Sequence, residues 1–213
     1  MQSIKKRLES IDPSDFYSKV NLHIHTTASD GELEPIEVIK SARANGLKLI
    51  SITDHNTVNA YSEIKNTDLE ELEIIKGVEF DCWYGFTLLH ILGYGIDTNN
   101  DQLLEICATD KKGATLDIIR FFNRRKAQDV IERIKSAGGI PVLAHPACCW
   151  NPNLKGMIKK LVSYGLEGVE VYYPYRRHRG FIKFYTINSV KKIADELGLL
   201  QTGGTDAHGK SLN

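Results

Sequence analysis

Two histidines separated by a single residue, His23 and His25, form the pattern in this sequence that points most directly to chemistry. They close an apolar segment containing Val20, Leu22 and Ile24, which is typical of a β-strand. Because alternate side chains of a strand point to the same side, both imidazoles can reach one metal ion. Zinc, manganese and iron(II) all accept imidazole and carboxylate ligands. The pair therefore predicts a metal site at the end of the first strand.

Other side chains that can bind metal lie at or after further apolar, strand-like segments. With the first pair, they make up this set of candidate ligands: His23, His25, Asp30, His55, Glu79, His90, His145, Asp206 and His208. One zinc ion takes about four ligands, so the set is large enough for two or three ions. A carboxylate can bridge two ions, and Glu79 and Asp206 are the candidates for that role.

The elements that must position these ligands alternate between strands and helices. The pattern predicts strands at 20–25, 47–53, 72–80, 86–94, 140–144, 169–173 and 199–202. It predicts helices at 35–45, 59–65, 101–136, 154–164 and 186–197. This alternation is typical of a parallel α/β sheet. Because the ligands collect at the carboxyl ends of many strands, a closed barrel is favoured over an open sheet with a single crevice.

The chain has 213 residues, a length that fits one large domain or two small ones. Its apolar fraction of 42% is typical of a globular protein. No repeat, low-complexity segment or linker divides the sequence. We therefore expect a single barrel domain over 20–213, preceded by an N-terminal helix or arm over 1–19.

Charge and hydropathy exclude some functions. The 27 basic and 27 acidic side chains balance, so duplex nucleic acid is not an expected partner. No apolar run approaches the roughly 18 residues of a membrane helix, and the charged N-terminus lacks the pattern of a signal peptide. The sequence therefore predicts a cytoplasmic protein without a membrane partner. The four cysteines form no C-x-x-C pair and are expected to be reduced.

Eight short motifs carry a resemblance to the polymerase and histidinol phosphatase (PHP) superfamily. They occur in the order found in that family, at 21–26, 29–31, 52–57, 77–79, 90–94, 143–146, 168–172 and 204–209. The sequence most closely resembles the stand-alone members that act on nucleotides, in which an Asp replaces a third His. Asp30 is the matching residue here.

The resemblance implies a distorted, TIM-like (β/α)7 barrel that holds three metal ions. The implied ligand sets are His23, His25, Glu79 and Asp206 for the first ion; Glu79, His90 and His145 for the second; and Asp30, His55 and His208 for the third. The cofactors would be two to three divalent ions, either Mn2+, Fe2+ or Zn2+.

The family's chemistry is hydrolysis of phosphate esters by a hydroxide that bridges two metals. Carried over to this chain, it assigns catalytic roles to Glu79, Asp206 and His208, with His208 or a metal-bound water as the general acid. The implied substrate is a small nucleotide, either a nucleoside 3′,5′-bisphosphate or the end of an oligonucleotide.

A basic segment after the predicted strand 169–173 is the candidate for binding that substrate. Arg176 and Arg177 are suited to phosphate because guanidinium groups bind it in a bidentate manner. His178 is the one histidine outside the ligand set and is expected to contact substrate or solvent. Arg124 and Arg125 are weaker candidates, since they fit a polar helix face equally well.

The chain also departs from its nucleotide-directed relatives, which usually carry a sizeable helical insertion. Residues 97–139 leave room only for a reduced cap over the site. The substrate preference of those relatives therefore does not carry over directly to this chain. The chain ends five residues after His208, where relatives generally continue with a closing element. We therefore expect either a less complete barrel or a shortened C-terminus.

Three other functions compete with nucleotide hydrolysis. Histidinol-phosphate phosphatase is one, although Asp30 argues against it. Another is C–N hydrolysis of the amidohydrolase type, whose usual bridging ligand is a modified Lys rather than a Glu. The third is a non-catalytic, metal-binding accessory domain.

Overall fold

The computed structural model describes residues 2–116, 122, 124–175 and 185–212. The strands in these ranges are β1 (Val20–Ile24), β2 (Leu49–Ile52), β3 (Glu73–Ile74), β4 (Gly77–Tyr84), β5 (Thr87–Tyr94), β6 (Ile140–Leu143), β7 (Gly168–Tyr172) and β8 (Leu200–Gly203). The helices are α1 (Gln2–Glu9), α2 (Pro35–Ala44), α3 (Ala60–Glu63), α4 (Asp101–Leu104), α5 (Lys111–Thr115), α6 (Ala127–Ser136), α7 (Leu154–Tyr164) and α8 (Ile187–Leu197). Two short 3-10 helices span Pro13–Tyr17 and Pro146–Cys148. The predicted mixed α/β class is confirmed.

The strands form two sheets. The first has the order β1-β2-β3 and is parallel. The second has the order β4-β5-β6-β7-β8, in which β6, β7 and β8 run parallel. The strands β4, β5 and β6 pair antiparallel, so the expected parallel arrangement is wrong for this part of the sheet.

The antiparallel pairing results from a tight turn between β4 and β5. Tyr84 pairs with Thr87, which leaves Gly85 and Phe86 as a two-residue loop. Gly85 has a φ of 58°, a conformation that glycine adopts without steric cost and that such hairpin loops require. A loop of two residues forces the following strand to return beside the preceding one.

Backbone hydrogen bonds connect the two sheets on both sides. The amide of His25 donates to the carbonyl of Ala207 over 2.9 Å, which joins the end of β1 to the segment after β8. The amide of Asn56 donates to the carbonyl of Glu79 over 2.7 Å, which joins the segment after β2 to β4. No closed sheet is found among the described residues, so barrel closure stays a prediction.

The interior shared by the two sheets is apolar at the end away from the candidate metal ligands. A buried cluster there combines strand residues of both sheets, including Leu22, Leu49, Leu92 and Val142. The hydroxyl of Tyr94 crosses this interior and donates to the carbonyl of Leu22 over 3.0 Å. Burial of such side chains supplies the main stabilisation of the fold. The candidate metal ligands lie at the opposite end of this interior.

The helical prediction for 101–136 is too simple. Within the described residues of this range the structure has three separate helices, α4, α5 and α6. The helix α5 begins directly after Asp110, whose carboxylate accepts from the amide of Gly113 over 2.8 Å and caps the helix. The charge-rich segment that was predicted as one helical stretch is therefore divided, and capping side chains mark where a new helix begins.

None of the described helices is long and apolar enough to cross a lipid bilayer.

Candidate metal centre

The carboxylate of Glu79 lies at the centre of a cluster of histidines. It is fully buried on β4, and its two oxygens face five imidazoles. The nitrogen-to-oxygen distances are 3.0 Å for His23 and His90, 3.2 Å for His25, 3.3 Å for His145 and 3.4 Å for His55. His23 and His25 belong to the end of β1, His90 lies within β5, and His55 and His145 follow β2 and β6, so the fold gathers them from four places around one carboxylate.

Asp206 closes this cluster from the segment after β8. Its Oδ1 lies 3.1 Å from His25 Nε2 and 3.4 Å from His23 Nε2. Asp206 has a φ of 52°, which is strained for a residue with a side chain and is typical of functional sites. Gly204 allows the close approach, since a Cβ at that position would lie 2.4 Å from the Cβ of His23. The four residues His23, His25, Glu79 and Asp206 form a group with one ligand atom each within 4.8 Å of the others.

A second group of the same kind surrounds Asp30. It contains His25, Asp30, His55 and His208. Asp30 Oδ1 lies 3.3 Å from His208 Nε2 and 3.7 Å from His25 Nδ1. Gly31 lets this loop pack against β1, because a Cβ there would lie 2.4 Å from the carbonyl oxygen of His25.

A third group combines His55, Glu79 and His90. His145 joins it through its 3.3 Å contact with Glu79, and its ring packs edge-on against that of His90. All nine sequence-predicted ligands therefore lie in one continuous site. Three of them are shared between groups: His25 by the first and second, Glu79 by the first and third, and His55 by the second and third.

The residues fit divalent metal ions by a test that does not use the resemblance. Both ring nitrogens of His25 and Nδ1 of His55 are buried. Carboxylate oxygens approach them to between 3.1 and 3.7 Å, yet within the described ranges none has the geometry of a hydrogen bond. Buried polar groups in folded proteins are nearly always satisfied. Imidazole nitrogens without partners, surrounded by carboxylates, are what a metal ion would satisfy.

Electrostatics show how strongly the carboxylates act on the histidines. Burial by itself would lower the pKa of His25, but Asp206 and Glu79 outweigh it and raise the pKa to about 9. Burial opposes the charged form of His90 as well, yet Glu79 and Asp81 raise its pKa to about 10. Burial also opposes the charged form of His23, but Glu79, Glu170 and Asp206 raise its pKa well above the ordinary value.

The carboxylates respond in the opposite direction. Burial would raise the pKa of Glu79, but the surrounding histidines hold it well below its usual value. The pKa of Asp206 is likewise well below normal, since His23 and His25 overcome its burial. His55 differs from its neighbours, because burial lowers its pKa to about 3. The centre thus keeps its carboxylates ionised and ready to bind cations.

Glu170 is a supporting residue that sequence reasoning did not assign. It is fully buried on β7, with Oε1 3.0 Å from His23 Nδ1, and its Oε2 accepts from the backbone amide of His145 over 2.9 Å. One carboxylate therefore orients two candidate ligands, as residues behind metal ligands commonly do. His145 has a φ of 29°, and this hydrogen bond helps to hold that strained backbone.

Asp81 is the second residue that was missed. It lies two positions after Glu79 on the same face of β4, and its Oδ1 is 3.1 Å from His90 Nε2. Asn56 donates to its other oxygen, and the guanidinium of Arg125 in turn donates to Asn56 Oδ1 over 3.1 Å. The strand alternation around Glu79 could have signalled Asp81. Arg125, a weaker candidate for binding phosphate, belongs to this supporting chain.

Asp54 holds the loop that carries the second ligand group. Its carboxylate accepts from the amide and hydroxyl of Thr26, both over 2.7 Å, and from the hydroxyl of Ser29 over 2.6 Å. These bonds fix the chain between His25 and Asp30.

The site has a buried floor and an open mouth. The floor consists of His23, His25 and Glu79, whose side chains are completely buried. The mouth consists of Asp30, His90 and His208, whose side chains are 22%, 20% and 38% exposed. Among the described residues, the side of the mouth is therefore the more open approach to the centre.

The predicted substrate-binding residues Arg176, Arg177 and His178 lie outside the described residues. The segment that leads to them contacts the site, since the hydroxyl of Tyr173 donates to Asp206 Oδ2 over 2.9 Å. The hydroxyl of Tyr175 donates to the carbonyl of Glu170 over 3.0 Å.

Comparison with known proteins agrees with this geometry. The PHP domain family matches residues 21–135. An uncharacterised protein of Methanocaldococcus jannaschii is 28% identical over 82% of this chain and 92% of its own length. A 5′-3′ exoribonuclease of Haemophilus influenzae is 27% identical over 56% of this chain and 41% of its own. A 3′,5′-nucleoside bisphosphate phosphatase of Chromobacterium violaceum is 35% identical over 38% and 28%. The chain thus spans less than half the length of these two relatives with a named activity.

Two solved structures share the fold. One is described as an amidohydrolase from Chromobacterium violaceum with bound SO4 and no metal; it has a TM-score of 0.72 and 20% identity, over 90% of this chain and 88% of that one. The other is described as a candidate metal-dependent phosphoesterase from Bifidobacterium adolescentis; it has a TM-score of 0.69 and 19% identity, over 91% and 88%. At these identities the likeness is one of fold alone.

Proposed function

The chain belongs to the PHP domain family of metal-dependent phosphoesterases, and from this premise we propose that it hydrolyses phosphate esters of a small nucleotide. The proposed substrate is either a nucleoside 3′,5′-bisphosphate or the phosphorylated end of an oligonucleotide. Relatives named for each of these activities support the proposal.

The observation that carries the proposal is the convergence of nine ligand-type side chains, including the central Glu79, in one continuous site. We propose that they hold two to three divalent ions. The first ion would use His23, His25, Glu79 and Asp206; the second Glu79, His90 and His145; and the third Asp30, His55 and His208. The two sheets would then act as one distorted barrel, whose strand ends form the centre. The backbone bonds between the sheets support that view.

Divalent ions bound here would lower the pKa of water and neutralise charge on a phosphate ester. The chain's own residues fix where this happens. Glu79 and Asp206 remain ionised in the buried centre, so they keep the negative charge that cations require. His208, the most exposed of the candidate ligands, lies at the mouth, where we place the leaving group.

We propose that Arg176, Arg177 and His178 contact the substrate from the segment after Tyr175. Tyr173 and Tyr175 anchor the start of that segment beside Asp206 and Glu170, which supports this assignment. Planar guanidinium groups would bind phosphate oxygens in a bidentate manner.

Phosphate release by the manganese-loaded protein tests the proposal. The substrates are adenosine 3′,5′-bisphosphate, a 5′-phosphorylated short oligonucleotide, histidinol phosphate and a chromogenic phosphate ester. We expect turnover of one of the two nucleotide substrates. Asp206→Asn should reduce it by at least roughly 10- to 100-fold, because removing the charge of a candidate ligand weakens metal binding.

Asp101→Asn on α4 is the matched control, because it makes the same chemical change away from the centre. It should retain full activity. Selective turnover of histidinol phosphate would replace the nucleotide assignment. If a metal-loaded protein hydrolysed none of the four compounds, the non-catalytic alternative would be preferred.

A further inference from the structure

An apolar pocket adjoins the mouth of the metal centre. It encloses about 400 Å3 and is lined by Trp83, Phe86, Leu88 and Trp150, with His90 and His145 at its inner end. The two histidines are candidate ligands of the second ion, so the pocket and the centre share a wall. A chemical group bound in this pocket would therefore lie directly beside a phosphate ester bound at the ions.

Strand geometry explains why the pocket lies there. Glu79, Asp81 and Trp83 occupy alternate positions of β4 and point to the same face. On the paired strand, Leu88 lies opposite Trp83, just as His90 lies opposite Asp81. Two residues advance a strand by roughly 7 Å. The ligand-bearing face therefore continues into an aromatic surface one side-chain row further from the centre.

Two of the three aromatic side chains of this pocket are exposed to solvent, and Trp83 is half-buried. Phe86 at the hairpin turn is 99% exposed, and Trp150 is 73% exposed. The loop that carries Trp150 is fixed to the hairpin, since Asn151 Nδ2 donates to Thr87 Oγ1 over 3.2 Å. Rings held open to solvent by a braced backbone form a ready-made stacking surface.

A positive charge accompanies the aromatic surface. The guanidinium carbon of Arg124 lies 5.6 Å from the centre of the Trp83 ring, a cation–π arrangement. Aromatic rings next to an exposed arginine are the combination with which proteins bind single-stranded nucleic acid: rings stack on bases and the cation faces the backbone.

We propose that this aromatic pocket binds the nucleobase next to the scissile phosphate, by stacking on Trp83, Phe86 and Trp150. The inference rests on the proposed nucleotide phosphoesterase activity and adds to it the feature that selects the substrate. The ions recognise any phosphate ester, whereas the pocket favours esters that carry a flat aromatic group. Because stacking is tolerant of sequence, purine and pyrimidine nucleotides should both be accepted.

The position of the two tryptophans allows a direct binding test. Trp83 and Trp150 are the only tryptophans in the chain, and both line the pocket. Their fluorescence, excited at a wavelength that bases do not absorb, therefore reports on this pocket alone. We would titrate the wild-type protein with a dinucleotide that has no terminal phosphate. We expect saturable quenching, and roughly tenfold weaker binding by Phe86→Ala, which keeps both fluorophores.

Kinetics supply the second readout. Phe86→Ala and Trp150→Ala should raise KM for adenosine 3′,5′-bisphosphate about five-fold or more while leaving kcat unchanged. Both variants should leave the hydrolysis of glycerol phosphate, which lacks a base, as it is in the wild type. Leu104→Ala is the control, because it shortens a 43% exposed apolar side chain on α4 outside the pocket.

The outcomes separate the inference from the function on which it rests. Quenching without hydrolysis of any ester would support the pocket and refute the phosphoesterase proposal. Hydrolysis of nucleotides with no quenching, or with equal loss for glycerol phosphate, would overturn the pocket alone. A wild-type dimer that Phe86→Ala converts to monomer would also overturn it, by showing that the surface joins two copies of the chain.

Discussion

The floor of the metal centre and the aromatic pocket share the strand β4, yet their environments are opposite. On the floor, His23, His25 and Glu79 are completely buried, and each contacts several charged or ionisable groups. In the pocket, Phe86 and Trp150 are largely exposed. The change takes place along β4 between Asp81 and Trp83, a step of two residues.

This difference separates two parts of the chemistry. A buried cluster of opposite charges is rigid, because moving any member exposes the others to an unpaired state. It suits a group such as phosphate, which is common to many substrates. An exposed aromatic surface can change its residues at little cost to folding. It suits the part of a substrate that varies, so we expect binding specificity to be set there.

The largest effect expected from the floor is a steep dependence of metal affinity on pH. The pKa values of His25 and His90 are raised to about 9 and 10. Both rings should therefore be positively charged imidazolium ions at neutral pH in the metal-free protein. A metal ion must displace those protons. Between pH 6 and pH 8, affinity for Mn2+ should rise by roughly 100-fold for each proton displaced.

Calorimetric titration with Mn2+ in buffers of different ionisation enthalpy measures the number of protons released. At least one proton per chain should be released at pH 7. An affinity that does not vary with pH would show that the histidines are not the ligands.

A smaller effect should come from the support behind the floor. Glu170→Gln keeps the size of the side chain but removes the charge that orients His23. Losing such a partner typically weakens metal binding by about 10- to 100-fold. Competition with a chelator measures the change. Glu167→Gln, just before β7, is the matched control and should bind metal normally, because this partly buried carboxylate pairs with Lys5 and Lys135. Unchanged affinity in Glu170→Gln would remove Glu170 from the centre.

The smallest effect is expected at the hairpin turn. Phe86→Ala should change the free energy of unfolding by less than about 0.5 kcal/mol, since the ring is exposed. Phe80→Ala on the preceding strand β4 should cost about 3 to 5 kcal/mol, since that ring is fully buried. Chemical denaturation of both variants compares them. A large loss in Phe86→Ala would mean that the turn is part of the core rather than a binding surface.

The same contrast describes what the sequence could predict. The spacing of His23 and His25 and the apolar segments before the other ligands reflect local strand geometry, and the structure brings all nine residues together. The helix over 154–164 was also predicted in full, since Asn153 caps its start and Gly165 ends it. Local signals of this kind can be read along the chain.

Other features depend on partners far away in sequence. Glu170 acts on His23, 147 positions earlier, and nothing near either residue indicates the contact. The antiparallel course of β4, β5 and β6 differs from the prediction, because an alternation of strands and helices favours parallel pairing, whereas the two-residue loop at Gly85 and Phe86 reverses the chain. The pocket could not be predicted either, since Trp83 and Trp150 lie far apart in sequence and line one pocket only in the folded chain.

The metal content of the protein tests the central claim most directly. After loading with Mn2+ and removal of unbound ions, elemental analysis should find two to three ions per chain in the wild type. Glu79→Gln should lose ions from both sites that share this carboxylate, with its fold intact by circular dichroism. A folded Glu79→Gln variant that retains the full metal content would contradict the account, as would a wild type that binds no metal.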